Sequence, residues 1–163
     1  MSSYQISLGI DGQAEFNRVF KRFGATLSDL TEVWEEVKLE FWEIEKEQFD
    51  SEGAAGAAGK WKPLSPKYAA RKIEKYGDKL ILQRTDALYK SMTGKTNDTV
   101  LEIKKDSIAI GSSLARAKYH HRGGGRLPKR EVISFSDAQK KRLQKRIQKK
   151  MVKLIKQAGA AVD

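Results

Sequence analysis

Two of the chain's three prolines stand three residues apart, in Gly59-Lys60-Trp61-Lys62-Pro63-Leu64-Ser65-Pro66-Lys67-Tyr68, and no other stretch restricts the backbone as much. Each proline fixes its own φ and drives the residue before it, Lys62 or Ser65, out of the α region. The segment is therefore expected to run extended past Trp61 and to enter a helix at Pro66, with Ser65 as its N-cap. Trp61 and Leu64 become anchors that pin this lead-in to the body. For Trp61 the plainer reading is an ordinary core residue, because tryptophan is largely buried on average.

The rest of the chain is read around that segment. Tyr4, Ile6, Leu8 and Ile10 alternate with Gln5, Ser7 and Gly9, which predicts a short half-buried strand, and Phe16, Val19, Phe20 and Phe23 predict a helix stopping at Gly24. A longer helix starts near Ser28 or Asp29. Leu30, Val33, Trp34, Val37, Phe41 and Ile44 form its apolar stripe, which Phe49 extends, opposite Glu32, Glu35, Glu36, Glu40, Glu43 and Glu47. Leu39 and Trp42 fall off the stripe, so this helix either meets a further element or subunit there or exposes them. The low-complexity Ser51–Gly59 stretch reads as a mobile, turnless surface loop.

A basic helix over 67–75 ends at Gly77, and Thr85 or Asp86 caps another over 85–92. Residues 99–103 and 108–110 predict a hairpin about Lys104–Ser107, with Leu101, Ile103, Ile108 and Ile110 facing inward. A permissive, cationic loop follows from Gly111 through Arg130, including three consecutive glycines. Ser136-Asp137-Ala138-Gln139 fits a capping box for a last helix. There Leu143, Ile147, Met151, Leu154 and Ala158 repeat at helical steps, Val152 and Ile155 broaden the stripe, and Gly159 ends it. An amphipathic helix that caps the core is the plain reading, and a helix touching DNA or a membrane surface the sharper one. The expectation is one α+β domain over residues 1–163. Its small antiparallel sheet combines the N-terminal strand with the 99–112 hairpin, packed with several helices, and its flexible loops lie near 51–59 and 122–130.

The net charge of +11 is unevenly distributed. Residues before Lys60 hold 5 Lys/Arg against 12 Asp/Glu, and those from Lys60 onward hold 27 against 9. Such polarity favours an anionic partner, or the acidic half of a neighbouring copy. There is no cysteine, which removes disulfides and thiolate metal sites. The first residues lack the basic and apolar regions of a signal, and no apolar run reaches membrane-span length, so a product of the cytoplasm with no membrane partner is expected. Gly94-Lys95-Thr96 fails as a phosphate loop because Tyr89 stands where the first glycine is needed. His120 and His121 are adjacent and diverge on regular structure, so no metal set forms. Neither Ser65 nor Ser91 has a histidine partner by context, and no defended carboxylate pair is present. No catalysis and no cofactor are expected.

The order of short motifs is distinctive: Gly59 to Tyr68; Ile81-Leu82-Gln83-Arg84-Thr85-Asp86-Ala87-Leu88 with Ser91; a hairpin ending Ile110-Gly111-Ser112; Lys118-Tyr119-His120 before glycines; and Leu127-Pro128-Lys129-Arg130-Glu131-Val132-Ile133-Ser134-Phe135-Ser136 before the last helix. Over about residues 28–157 this resembles the phage virion morphogenesis (tail completion) family of Mu-like phages and prophages. Two departures are visible. Thr85-Asp86-Ala87-Leu88 stands for Thr-Gly-x-Leu, and Glu131-Val132-Ile133-Ser134 replaces an aromatic-leucine-glycine step.

The resemblance implies a non-enzymatic virion protein of the head–tail neck or tail end, made in the host cytoplasm. It implies a homo-oligomeric ring, expected as a hexamer, meeting tail-tube and head–tail connector proteins, with non-specific contact to genomic DNA in the channel. Docking is then expected from Trp42, from Trp61, Pro63, Leu64, Pro66 and Tyr68, and from Tyr119, His120, Arg122, Gly124, Arg126, Pro128 and Arg130. Lys141, Arg142, Lys145, Arg146 and Lys149 are the candidates to face DNA. The alternative is a small basic nucleic-acid-binding protein, supported by the basic second half.

Overall fold

The computed structural model describes residues 28–125 and 127–157. The expected N-terminal strand and first helix, together with Ala158 and Gly159, lie outside those residues. Among the described residues the fold is α+β, with five helices and one two-stranded antiparallel sheet.

Its frame is a pair of long helices. Helix α1 (Thr31–Asp50) opens where an Asp29 carboxylate oxygen accepts the Thr31 backbone N–H at 2.9 Å, which satisfies one of the orphan donors of the first turn. The last helix, labelled α5 below (Asp137–Gln157), opens on the expected capping box. The Ser136 N–H donates to the Gln139 side-chain oxygen at 2.9 Å, and the Gln139 N–H donates back to the Ser136 hydroxyl at 3.4 Å.

The two helices run antiparallel. Lys150 pairs with Glu32, Arg146 with Glu36, Glu40 and Glu43, and Arg142 with Glu40 and Glu47. Beneath the ion pairs, Leu30, Val33 and Val37 meet Leu143, Ile147, Met151 and Ile155 in one apolar cluster. Val152 is left exposed, so the buried stripe of α5 continues through Ile155. The acidic side expected to meet a neighbouring copy is thus met by the chain's own C-terminal helix.

The second half of α1 organises the other cluster. Phe41 and Phe49 pack with Trp61, Ile81, Leu88, Met92, Ile110 and Val132. Helix α2 (Pro66–Tyr76) has Pro66 in its first turn and stops at Gly77 (φ 79°), as expected. Ser65 is extended, with φ −62° and ψ 144°, but its side chain makes no capping bond. Helix α3 (Ala87–Met92) starts after Asp86, which takes the left-handed conformation at φ 55°.

Strands β1 (Thr99–Ile103) and β2 (Ile108–Ser112) form the expected hairpin, with Thr99 opposite Ser112 and Ile103 opposite Ile108. Leu101, opposite Ile110, remains 40% exposed, so β2 carries the buried side. A further helix, α4 (Ala115–Arg122), occupies part of the expected 111–130 loop.

The glycine–alanine stretch is not the turnless loop that its composition suggests. It is a run of turns tied to the body: the Gly53 N–H donates to Gln48 O at 2.8 Å, Trp61 N–H to Glu52 O at 2.7 Å, and Ala58 N–H to the Ser134 hydroxyl at 2.9 Å. Small residues are required by close approach. A Cβ on Gly56 would stand 2.5 Å from the Ser134 carbonyl oxygen and 2.6 Å from the Gln48 side-chain oxygen. Gly56→Ala is therefore expected to lower stability by about 1–3 kcal/mol, as overpacking does, read as a shift in urea midpoint at unchanged m-value.

One residue of α1 breaks the rule that buried charge is paired. Glu45 is fully buried, and neither carboxylate oxygen has a hydrogen-bond partner. Burial pushes its carboxyl well above the ordinary 4.5, so the folded chain keeps a proton there that the unfolded chain releases. Glu45 therefore favours folding least above its raised folded value, and its contribution to stability falls as pH rises from about 4.5 through that value. Thermal unfolding of Glu45→Gln is expected to match the wild type at low pH and to exceed it increasingly toward pH 8.

Candidate functional site

The proline stretch and the Pro128–Ser136 stretch lie far apart in sequence and meet at one junction. Trp61, which is 4% exposed, stacks edge-on against Phe49 with ring centres 5.3 Å apart. Its indole N–H donates to the Glu131 carbonyl at 2.9 Å, and the Gln48 side-chain amide donates to the same oxygen at 3.2 Å. Trp61 is thus a core anchor, as the plainer reading had it.

Arg130 closes the junction from the other side. It is 4% exposed, and its guanidinium donates from Nε to the Lys62 carbonyl at 2.8 Å and from Nη2 to the Pro63 carbonyl at 3.2 Å. Its own N–H donates to the His120 carbonyl at 2.8 Å. The extended backbone imposed by the prolines leaves those carbonyls free of helix or sheet partners, and the planar fork of arginine satisfies both. Burial lowers the guanidinium's pKa, and nearby Tyr68 partly offsets that.

Around the junction the remaining docking candidates separate. Leu64 packs on the second apolar cluster, whereas Pro63 and Pro66 are exposed and Tyr68 is half-buried. The Trp42 ring is covered by Gly94, whose φ of 74° and missing Cβ let the loop after α3 lie directly on it. The off-stripe tryptophan therefore meets an element of its own chain.

Helix α4 carries Tyr119 to the surface at 60% exposure, with Arg122 also exposed. His120 is half-buried behind it, with Nδ1 unpartnered. Burial first, then Arg130 and Arg116, hold its pKa below the usual histidine range. Past Gly123 the chain makes a narrow reversal: the Gly124 N–H donates to Leu127 O at 3.0 Å and the Leu127 N–H to Gly124 O at 2.9 Å. Pro128 is half-buried on its returning side. Arg126 lies outside the described residues.

The DNA-facing candidates on α5 divide by helix face. Arg142 and Arg146 turn toward α1, where Glu40, only 1% exposed, receives Arg142 Nε on one oxygen at 2.5 Å and Arg146 Nε on the other at 2.6 Å. Lys141, Lys145 and Lys149 lie exposed on another side at four-residue spacing. Sequence reasoning missed Gln48 and the buried role of Arg130. Two runs expected to be extended or loop, each joined to the other by a buried arginine, leave no periodic signal. Among the described residues no group of three or more His, Asp or Glu could hold a metal ion, and no helix is long and apolar enough to cross a membrane.

Residues 11–152 match the model of the phage virion morphogenesis family. No curated protein and no solved structure matches the chain.

The junction makes a stability statement. Arg130→Ala strands two carbonyls and opens a cavity, and is expected to cost about 2–4 kcal/mol in urea unfolding. Arg130→Lys is expected to recover only part of that, because an ammonium does not reproduce the two-pronged fork.

Proposed function

The chain belongs to the phage virion morphogenesis family, and from that premise we propose that it completes the tail or joins it to the head, as a non-catalytic subunit of a ring at the neck or tail end. Family membership makes it a phage structural or assembly protein. The finer placement rests on one feature of the surface. Helix α4 and the reversal at Gly124–Leu127 present exposed Tyr119 and Arg122 next to a rigid junction of Trp61, Arg130 and Glu131.

That arrangement suits docking. An exposed aromatic and an arginine are the residue types that dominate binding energy at interfaces, and a locked base beneath them reduces the ordering cost of association. The acidic side of α1 is already engaged by α5, which supports contact between copies through α4 and the glycine reversal in preference to opposed charged faces. Neighbouring copies, the tail tube and the head–tail connector are the partners in this reading.

Light scattering coupled to size exclusion is expected to give a closed oligomer, alone or on addition of tail protein. Tyr119→Ala with Arg122→Ala, both at exposed side chains, is expected to change the monomer's stability by no more than about 0.5 kcal/mol per site and to abolish the oligomer. Particles carrying the double variant should appear in micrographs as unjoined heads and tails or as tails of abnormal length. Intact infectious particles from that variant would remove α4 from the docking surface.

A further inference from the structure

A cleft beside α2 shares only Tyr68 with the docking candidates. Lys72, 6% exposed, donates its ammonium to the backbone carbonyls of Lys79 and Leu80, the latter at 2.9 Å, and so draws residues 79–84 back along the helix. The return places Arg84 over the Tyr76 ring, with Cζ 5.3 Å from its centre. Lys75 lies 5.6 Å from the same ring, and Arg71 lies 5.7 Å from the Tyr68 ring. Between them is a cavity of about 240 Å³ lined by Tyr68, Arg71, Lys72, Lys75, Tyr76 and Arg84.

Every charged side chain in that lining is a cation. Glu52 and Asp78 act on Lys72, but neither lines the cleft. Among the described residues no carboxylate forms a salt bridge with Arg71, Lys75 or Arg84. Three exposed cations that line one cleft without an ion-pair partner repel one another, and the tyrosine rings hold them there through cation–π contacts. The arrangement gains most from a dense anion that two guanidiniums and an ammonium can share.

We propose that this cleft binds a phosphate diester of a nucleic-acid backbone, with Arg71, Lys75 and Arg84 as its charged contacts. Three observations select that ligand. The cavity is below the roughly 300 Å³ at which small-molecule sites begin, so it admits a group rather than a whole cofactor. The tyrosines already carry cations against their rings, which leaves them poorly placed to stack on bases, so contact is to backbone and independent of sequence. The exposed lysines Lys141, Lys145 and Lys149 of α5 add a second cationic surface, and a long polyanion is the partner that a surplus of this size suits.

The test compares the full chain with the triple variant Arg71→Gln, Lys75→Gln, Arg84→Gln, leaving α5 intact. Binding to a short mixed-sequence DNA duplex is followed by fluorescence anisotropy between about 50 and 200 mM salt. The wild type is expected to bind with a steep salt dependence. The triple variant should bind more weakly, and its slope of log K against log salt should be shallower by about 1, one phosphate contact. All three side chains are exposed, so the thermal unfolding of the variant should match the wild type. In parallel, the Arg71 and Arg84 Nε signals are followed by NMR on adding duplex, inorganic phosphate or poly-glutamate. Shifts with duplex and with phosphate support the proposal. It is overturned by an unchanged salt slope in the variant, by shifts with phosphate but not duplex, or by shifts with poly-glutamate alone.

Discussion

The fold depends on one carboxylate shared by two arginines. Glu40 sits on the face of α1 that meets α5, almost wholly out of water, and gives one oxygen to Arg142 and the other to Arg146. Both arginines keep part of their surface in solvent, so desolvation falls chiefly on the acid, and each of its oxygens has a charged donor. The outer pairs, from Glu32, Glu36, Glu43 and Glu47, are exposed to different degrees and individually contribute little. Their joint effect is to favour one register: this antiparallel alignment puts all of them opposite α5 while Val33 and Val37 share one apolar cluster with Ile147 and Met151.

That arrangement decides what the molecule's lopsided charge means. An acidic first third and a basic remainder invite the idea of copies stacking charge to charge, yet Glu32, Glu36, Glu40, Glu43 and Glu47 of α1 are met by α5 within the chain. The exposed surplus is therefore largely cationic, and it includes the cleft beside α2 and the lysine side of α5. The docking surface proposed above is a further region, where α4 and its glycine reversal lie beside the junction of Trp61 and Arg130.

The sequence was most informative where one local rule acted alone. The capping box of α5, Pro66 opening α2, the hairpin and the apolar stripe of α1 all follow from short-range pattern, and all are present. It was silent where two distant segments satisfy each other. Ser51–Gly59 looks unstructured because its glycines have no side chains to signal contact, yet Gly56 is small because Ser134 and Gln48 are close. Helix α4 has Ala117, with Leu114 just before its first turn, packed on the core, too little periodicity to announce a helix. The cleft beside α2 depends on Lys72 folding back residues 79–84, a side-chain contact that no spacing rule encodes. The Thr85-Asp86-Ala87-Leu88 departure has a physical reading as well. Asp86 adopts the left-handed conformation that a glycine there would take freely, and aspartate is among the residues that tolerate it. Its carboxylate also pairs with Lys79 at 2.6 Å, an interaction glycine lacks.

The Arg130 clamp has a consequence for how the protein weathers its surroundings. A guanidinium resting on peptide oxygens, sealed from solvent, has no mobile counterion to exchange and no carboxylate mate to lose. Brine that strips a lysine row of its polyanion by screening does not reach a contact from which water is excluded. The scaffold that displays α4 should therefore stay set through ionic extremes that dismantle every surface charge contact around it.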